Sequence, residues 1–148
     1  MSAGIADQAV CGLCKQTGGE IIYRSAKLRV VLIGDANYPG YCRVIWNAHV
    51  KEMTDLTAAD RTIFMNAIWQ VEAAVREVMQ PCKINLATLG NMVPHLHWHV
   101  IPRYVDDAHF PNPIWADRKR MPKPDSLAAR DALMPALRTA IVRYMELE

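Results

Sequence analysis

His95-Leu96-His97-Trp98-His99-Val100-Ile101-Pro102-Arg103 alternates imidazole with apolar side chains. Successive side chains of a β-strand point to opposite faces, so the alternation predicts a strand over 95–102 with three imidazoles on one face. Leu96, Trp98 and Val100 take the other face, which buries against a helix and holds the histidine row rigid. Imidazole titrates near neutrality, so such a row supplies nucleophile, proton donor and phosphate hydrogen bonds without an extreme pKa shift. Only His49 and His109 of the five histidines lie outside it. A purely structural strand that buried three unpartnered imidazoles would forfeit their hydrogen bonds. The pattern points to phosphoryl chemistry.

Working outward, residues 83–88 predict a neighbouring strand, and 20–24 and 27–33, rich in Ile, Val and Leu, predict a hairpin around Ser25-Ala26. After the turn residues Asp35-Ala36-Asn37-Tyr38-Pro39-Gly40, the β-favouring run 41–47 predicts another strand. From Thr57 the period changes: Phe64, Ile68, Val71, Val75 and Val78 line one face of a helix that ends before Pro81. Thr57 and Asp60 are its expected caps. The segment 111–124 holds four of the nine prolines and reads as an extended connection. Asp125 or Ser126 is the expected cap of a C-terminal helix carrying Leu127, Leu137, Ile141 and Met145, which Pro135 kinks or restarts. This order predicts an α+β fold with a five-stranded, mainly antiparallel sheet, a long helix and a C-terminal helix.

HLHWHVIPR resembles the H-φ-H-φ-H-φ-φ signature of the histidine triad family of nucleotide hydrolases and transferases. Asn85 and Gly90-Asn91 are similar to the Asn and Gly-Gln that precede the family's triad, and 39–49 resembles its P-G-H-x-L-V-I-P-K-x-H stretch. The resemblance spans about residues 11–115. It implies that His97 attacks the α-phosphate of a nucleotide to give a covalent nucleotidyl-histidine, which water or another acceptor releases. It also implies that His99 hydrogen-bonds the phosphate or the leaving group, and that Asn85 and Asn91 place the triad and phosphate oxygens as neutral donors. Backbone amides of Gly90-Asn91-Met92 add anion contacts. Asp35 is the candidate ribose contact, with Asn37 as its alternative; either is equally a turn-forming residue. Two positions depart from the family: Met92 stands where several members carry a hydroxyl, and Tyr41 where a histidine is usual. The implied substrates are dinucleoside polyphosphates such as diadenosine tetraphosphate, or nucleoside 5'-phosphoramidates, with purines favoured. The implied assembly is a homodimer across a sheet edge and the long helix. A nucleotide-binding regulator or scaffold with negligible turnover is the alternative, and a simple C-x-x-C metal protein a third reading.

Cys11-Gly12-Leu13-Cys14 has the spacing that sets two thiolates on one tetrahedral metal, or forms a redox pair. The family supplies His49 and His95 as the second pair, a structural Cys2His2 zinc apart from the reaction, whose chemistry requires no cofactor. Cys42 and Cys82 read as small core residues. Trp46, Trp69 and Trp98 read as core, Trp115 as cover for a base or a dimer seam, and His109 as a solvated side chain.

The 148 residues, 51% hydrophobic and 22% charged, suit one domain over 1–148, with a core of about 11–115 and a helical tail of about 125–148. Seventeen basic residues against fifteen acidic ones are scattered, with no basic block for a specific nucleic-acid partner. The run 28–33 contains Arg29 and is too short for a membrane span, and MSAGIADQAV lacks the basic start and apolar centre of a signal peptide. A soluble, cytoplasmic protein with reduced thiols is expected.

Overall fold

The computed structural model describes residues 10–147, so the N-terminal segment read above falls, except for Val10, outside the description. Five strands form one antiparallel sheet: β1 (Glu20–Arg24), β2 (Leu28–Leu32), β3 (Cys42–Trp46), β4 (Lys83–Ala87) and β5 (His97–Arg103). Their order is β1-β2-β3-β5-β4, which puts β5 inside the sheet between β3 and β4. The α+β architecture is the one expected. Among the described residues, no helix is long and apolar enough to cross a membrane.

One sheet face packs on a long helix. A turn, α1 (Gly12–Lys15), precedes the sheet, and the long helix is α2 (Ala58–Met79). Thr57 caps α2, its hydroxyl oxygen accepting from the Asp60 amide at 3.1 Å, as its sequence suggests. Gln80 closes the helix in the left-handed region, φ 48°, immediately before Pro81. Phe64, Ile68, Val71 and Val75 are fully buried against Val30, Val44 and Val100 of the sheet. Each such side chain contributes about 1.5–3 kcal/mol of hydrophobic stabilisation. The C-terminal helices α3 (Pro124–Asp131) and α4 (Met134–Met145) follow a connection without regular structure. Leu137 and Ile141 extend the core along α2, and Arg138 reaches Glu20 on β1 at 2.7 Å.

The opposite face is covered by short segments. Cys11 and Leu13 pack on Val31 and Ile45, while Tyr38, Tyr41 and Ala108 pack around Ile101. Covering both faces explains why every residue of β2 is buried.

Several local expectations are corrected. β5 begins at His97, so His95 precedes the strand; the Leu96 amide donates to Val50 and the Leu96 carbonyl accepts from Trp46, pinning this entry outside the ladder. Neither Asp125 nor Ser126 caps α3: Pro124 occupies its first turn, where the missing N–H costs nothing, and both residues lie within the helix. The helix breaks after Asp131 and restarts at Met134 with Pro135 in the new first turn. Trp69 is 54% exposed on the outer side of α2, and Cys82 is exposed just ahead of β4, so neither is a core residue. Cys42 is buried as expected.

Candidate active site

The start of β5 carries His97 and His99 on one face, their rings 5.0 Å apart and nearly perpendicular. Strand pairing fixes what stands beside them: His97 opposes Ile45, and His99 lies between Arg43 on β3 and Ala87 on β4. Above the pair opens a cavity of about 420 Å³, bounded by Arg43, Asn91, Met92, Trp115 and both imidazoles. Its outer wall is the turn at Gly90, whose φ of 79° suits a residue without a side chain. Only 7% of His97 and 5% of His99 is exposed.

Hydrogen bonds assign the nitrogens. His97 Nδ1 lies 2.6 Å from the His95 carbonyl oxygen. A carbonyl oxygen only accepts, so Nδ1 carries the proton and a neutral His97 keeps its lone pair on Nε2. His99 Nδ1 lies 2.5 Å from the Tyr41 hydroxyl, which burial raises above its ordinary range and keeps protonated, the Arg43 charge opposing. With that hydroxyl as donor, the proton of a neutral His99 sits on Nε2. Burial lowers the pKa of His97, with the Arg43 charge reinforcing it against the hydrogen bond to His95. Burial, then His97, then Arg43 push His99 down to about 3. At neutral pH the pair is uncharged.

Trp115 meets the His99 ring edge to face at 5.0 Å. It is delivered by the segment after β5, which is tied down at Asp107, a carboxylate only 1% exposed. Asp107 accepts from Arg103 Nε at 2.8 Å and Nη2 at 3.1 Å, from the Tyr38 hydroxyl, and from the backbone amides of Tyr104, His109 and Phe110. Arg103 Nη2 also donates to the Asn112 carbonyl at 2.7 Å, three residues before Trp115.

The first histidine of the row faces another cluster. His95 is fully buried; its Nε2 donates to the Trp46 carbonyl at 2.6 Å, which leaves Nδ1 unprotonated toward Cys11 and Cys14, each Sγ 3.4 Å away. His49 Nδ1 stands 3.2 Å from the Cys14 Sγ, and the four donor atoms lie within 4.8 Å of one another. Tetrahedral zinc bonds of about 2.3 Å to sulfur and 2.0–2.1 Å to nitrogen require S–N edges near 3.6 Å, so this donor set fits zinc with little movement. Two thiolates and two neutral imidazoles would also balance the ion's charge. Buried Arg29 braces the cysteine turn, donating to the carbonyls of Leu13, Gln16 and Thr17 and to Asn47 Oδ1.

The remaining candidates stand apart. Asn85 shares the histidine face, opposite Ile101, but its Oδ1 accepts from Arg103 Nη1 at 2.7 Å and it borders a neighbouring hollow. Asp35 borders a separate hollow with Asp131 and Arg138, and its Oδ1 accepts from the Asn37 amide at 2.9 Å, an Asx turn. Gly90 and Asn91 do join His97 and His99. His109 stacks on Tyr38 and its Nδ1 contacts that hydroxyl at 2.6 Å, so it is held by a partner rather than solvated. Arg43 escaped the sequence reading. Its signal was a cation at the place of the apolar Leu in P-G-H-x-L-V-I-P-K-x-H.

The model of the HIT domain matches residues 15–106. An asymmetrical bis(5'-nucleosyl)-tetraphosphatase of Schizosaccharomyces pombe is 28% identical over 58% of this chain and 50% of its own length. An AP-4-A phosphorylase of Mycobacterium tuberculosis is 30% identical over 62% of this chain and 50% of its own. The chain thus spans about half the length of these curated relatives. A crystal structure of a histidine triad protein from Bradyrhizobium japonicum superposes with a TM-score of 0.70 at 28% identity, covering 87% of this chain and 92% of the other.

Proposed function

We propose, from the premise that the chain belongs to the histidine triad (HIT) family, that it is a nucleotidyl hydrolase or transferase working through a covalent nucleotidyl-histidine on His97. One observation carries the reading: the His95 carbonyl on Nδ1 leaves the lone pair of a buried, neutral His97 on Nε2. That is the state a nitrogen nucleophile needs. The Nε2 lone pair bonds to the α-phosphorus as the bond to the leaving group breaks, and the leaving group departs with the bonding pair. Water then displaces His97, its hydroxyl going to phosphorus and its proton to the departed group or the solvent. His99 Nε2–H donates a hydrogen bond to the phosphate or leaving group, and the Gly90-Asn91 turn contributes neutral donors. Names of relatives at 28–30% identity, one a dinucleoside tetraphosphatase and one an AP-4-A phosphorylase, support dinucleoside polyphosphates as the substrate class, with purine bases preferred.

Cys11, Cys14, His49 and His95 would hold a structural zinc, which cross-links the cysteine turn to the start of β5 when bound. The domain is read as one unit over 1–148. Its pairing as a homodimer is supported by the free edge of β4 and by exposed Ile63 and Trp69 on α2. In this reading Asn85 acts through Arg103 and the Trp115 segment, and Asp35 is the ribose contact.

The test is a rapid quench in base after brief reaction with α-labelled diadenosine tetraphosphate. Wild-type protein is expected to carry an acid-labile phosphoramidate label. His97→Ala is expected to carry none and to lose turnover while still binding nucleotide. Wild-type turnover by His97→Ala overturns the mechanism, and nucleotide binding by the wild type without label or turnover supports the regulator reading instead.

A further inference from the structure

Among the described residues, the lining of the histidine cavity contains no carboxylate, and its permanent charge is the Arg43 guanidinium. Five other arginines have evident partners: Arg103 has Asp107, Arg130 has Asp106, Arg138 has Glu20, Arg143 has Glu77, and Arg29 has three carbonyls. Arg43 has no such ion pair among the described residues. It lies against the Tyr41 ring, 5.9 Å from the centroid, and its Nε is buried with no hydrogen-bond partner. A buried, unsatisfied donor on a cation costs stability unless something arrives to use it.

We infer that Arg43 holds the phosphate chain beyond the α-phosphate and thereby selects nucleotides whose leaving group is a polyphosphate over those that release an amine. The inference rests on the nucleotidyl-transfer reading and adds to it the residue that selects the polyphosphate class. Position supports it: Arg43 opposes His99, while the nucleophile His97 opposes Ile45, so the guanidinium belongs to the leaving-group side of the α-phosphorus. Chemistry supports it as well. An amine must receive a proton as its bond to phosphorus breaks, and the Arg43 guanidinium, permanently charged, has none to give. A polyphosphate departs as an anion, to whose oxygens a guanidinium fork donates bidentately. Met92, which supplies no hydroxyl at the mouth, leaves this work to Arg43.

The test compares wild type, Arg43→Leu and Arg43→Lys by calorimetry with two probes, AMP and α,β-methylene ATP, whose phosphate chain resists cleavage. The ratio of affinities, methylene ATP over AMP, is expected to fall roughly 10- to 100-fold in Arg43→Leu, the range of charge-assisted hydrogen bonds, and less in Arg43→Lys. The ratio of kcat/KM for diadenosine tetraphosphate over adenosine phosphoramidate should fall in parallel. Equal losses for both probes, or none, overturn the assignment. A split in binding with no turnover by wild type would sink the enzyme reading and leave Arg43 as the phosphate-chain ligand. If the leucine variant fails to unfold cooperatively, Arg43→Gln, which retains much of the stem, provides the same comparison.

Discussion

Replacing Asp107 with Asn keeps the side chain's shape and removes its charge, leaving the Arg103 guanidinium, 3% exposed, without its counter-ion. Breaking one side of a buried ion pair typically costs about 3–5 kcal/mol. The carboxylate's own titration gives a second figure. Burial alone would raise its pKa, but hydrogen bonds from Arg103 and from the amides of Tyr104, His109 and Phe110 outweigh burial and hold it at about 2. Against an unfolded value near 3.9, that depression is worth about 2 kcal/mol, present above pH 4 and lost as pH falls through about 2. The two figures agree in order of magnitude; the smaller is reasonable because a protonated carboxyl still accepts through one oxygen. Urea unfolding at pH 7 should therefore place Asp107→Asn about 2–5 kcal/mol below wild type, roughly 5–15 °C in Tm. The gap should close between pH 4 and 2, because the wild type loses what the variant never had. A deficit below about 1 kcal/mol, or one unchanged in acid, would refute the account of Asp107 as the anchor of the segment bearing Trp115.

Fresh reduced protein is expected to contain about one zinc per chain by elemental analysis, and Cys14→Ser or chelation to lower Tm by several degrees; metal-free protein of equal Tm would return the cysteines to a packing role. The acid limb of the single-turnover rate should lie below pH 6.5, because burial and Arg43 lower His97 and so preserve its neutral form into mild acid. Arg43→Leu should move that limb upward, and a limb at or above 6.5 in wild type contradicts the sign.

Much of this arrangement was legible because local rules and global packing agree in it. Thr57 three residues before Asp60, an apolar stripe at helical spacing and Pro81 bound α2 on both sides. Alternation in β5 announced which side chains share a face, as His97 and His99 do. Alternation cannot say where a strand begins, and His95 was misjudged because its amide turns back to the Val93 carbonyl instead of joining the ladder. Periodicity gives no measure of how wide the buried stripe of a helix is, which is why Trp69 was assigned to the core. Arg43 and Asp107 owe their places to partners 56 and 69 residues away, His99 and Tyr38, a relation that exists only once strands are in register and loops are closed.

Met92, 95% exposed at the rim of the cavity, gives the site an evolutionary asymmetry. Substitutions at so exposed a position usually alter stability by no more than about 0.5 kcal/mol, whereas the histidines across from it are packed into a central strand. Mutations at the rim can therefore accumulate and retune which molecules enter, while burial makes changes in the histidine-bearing strand costly. Divergence of substrate range within such a lineage should be recorded first in the turn 89–93.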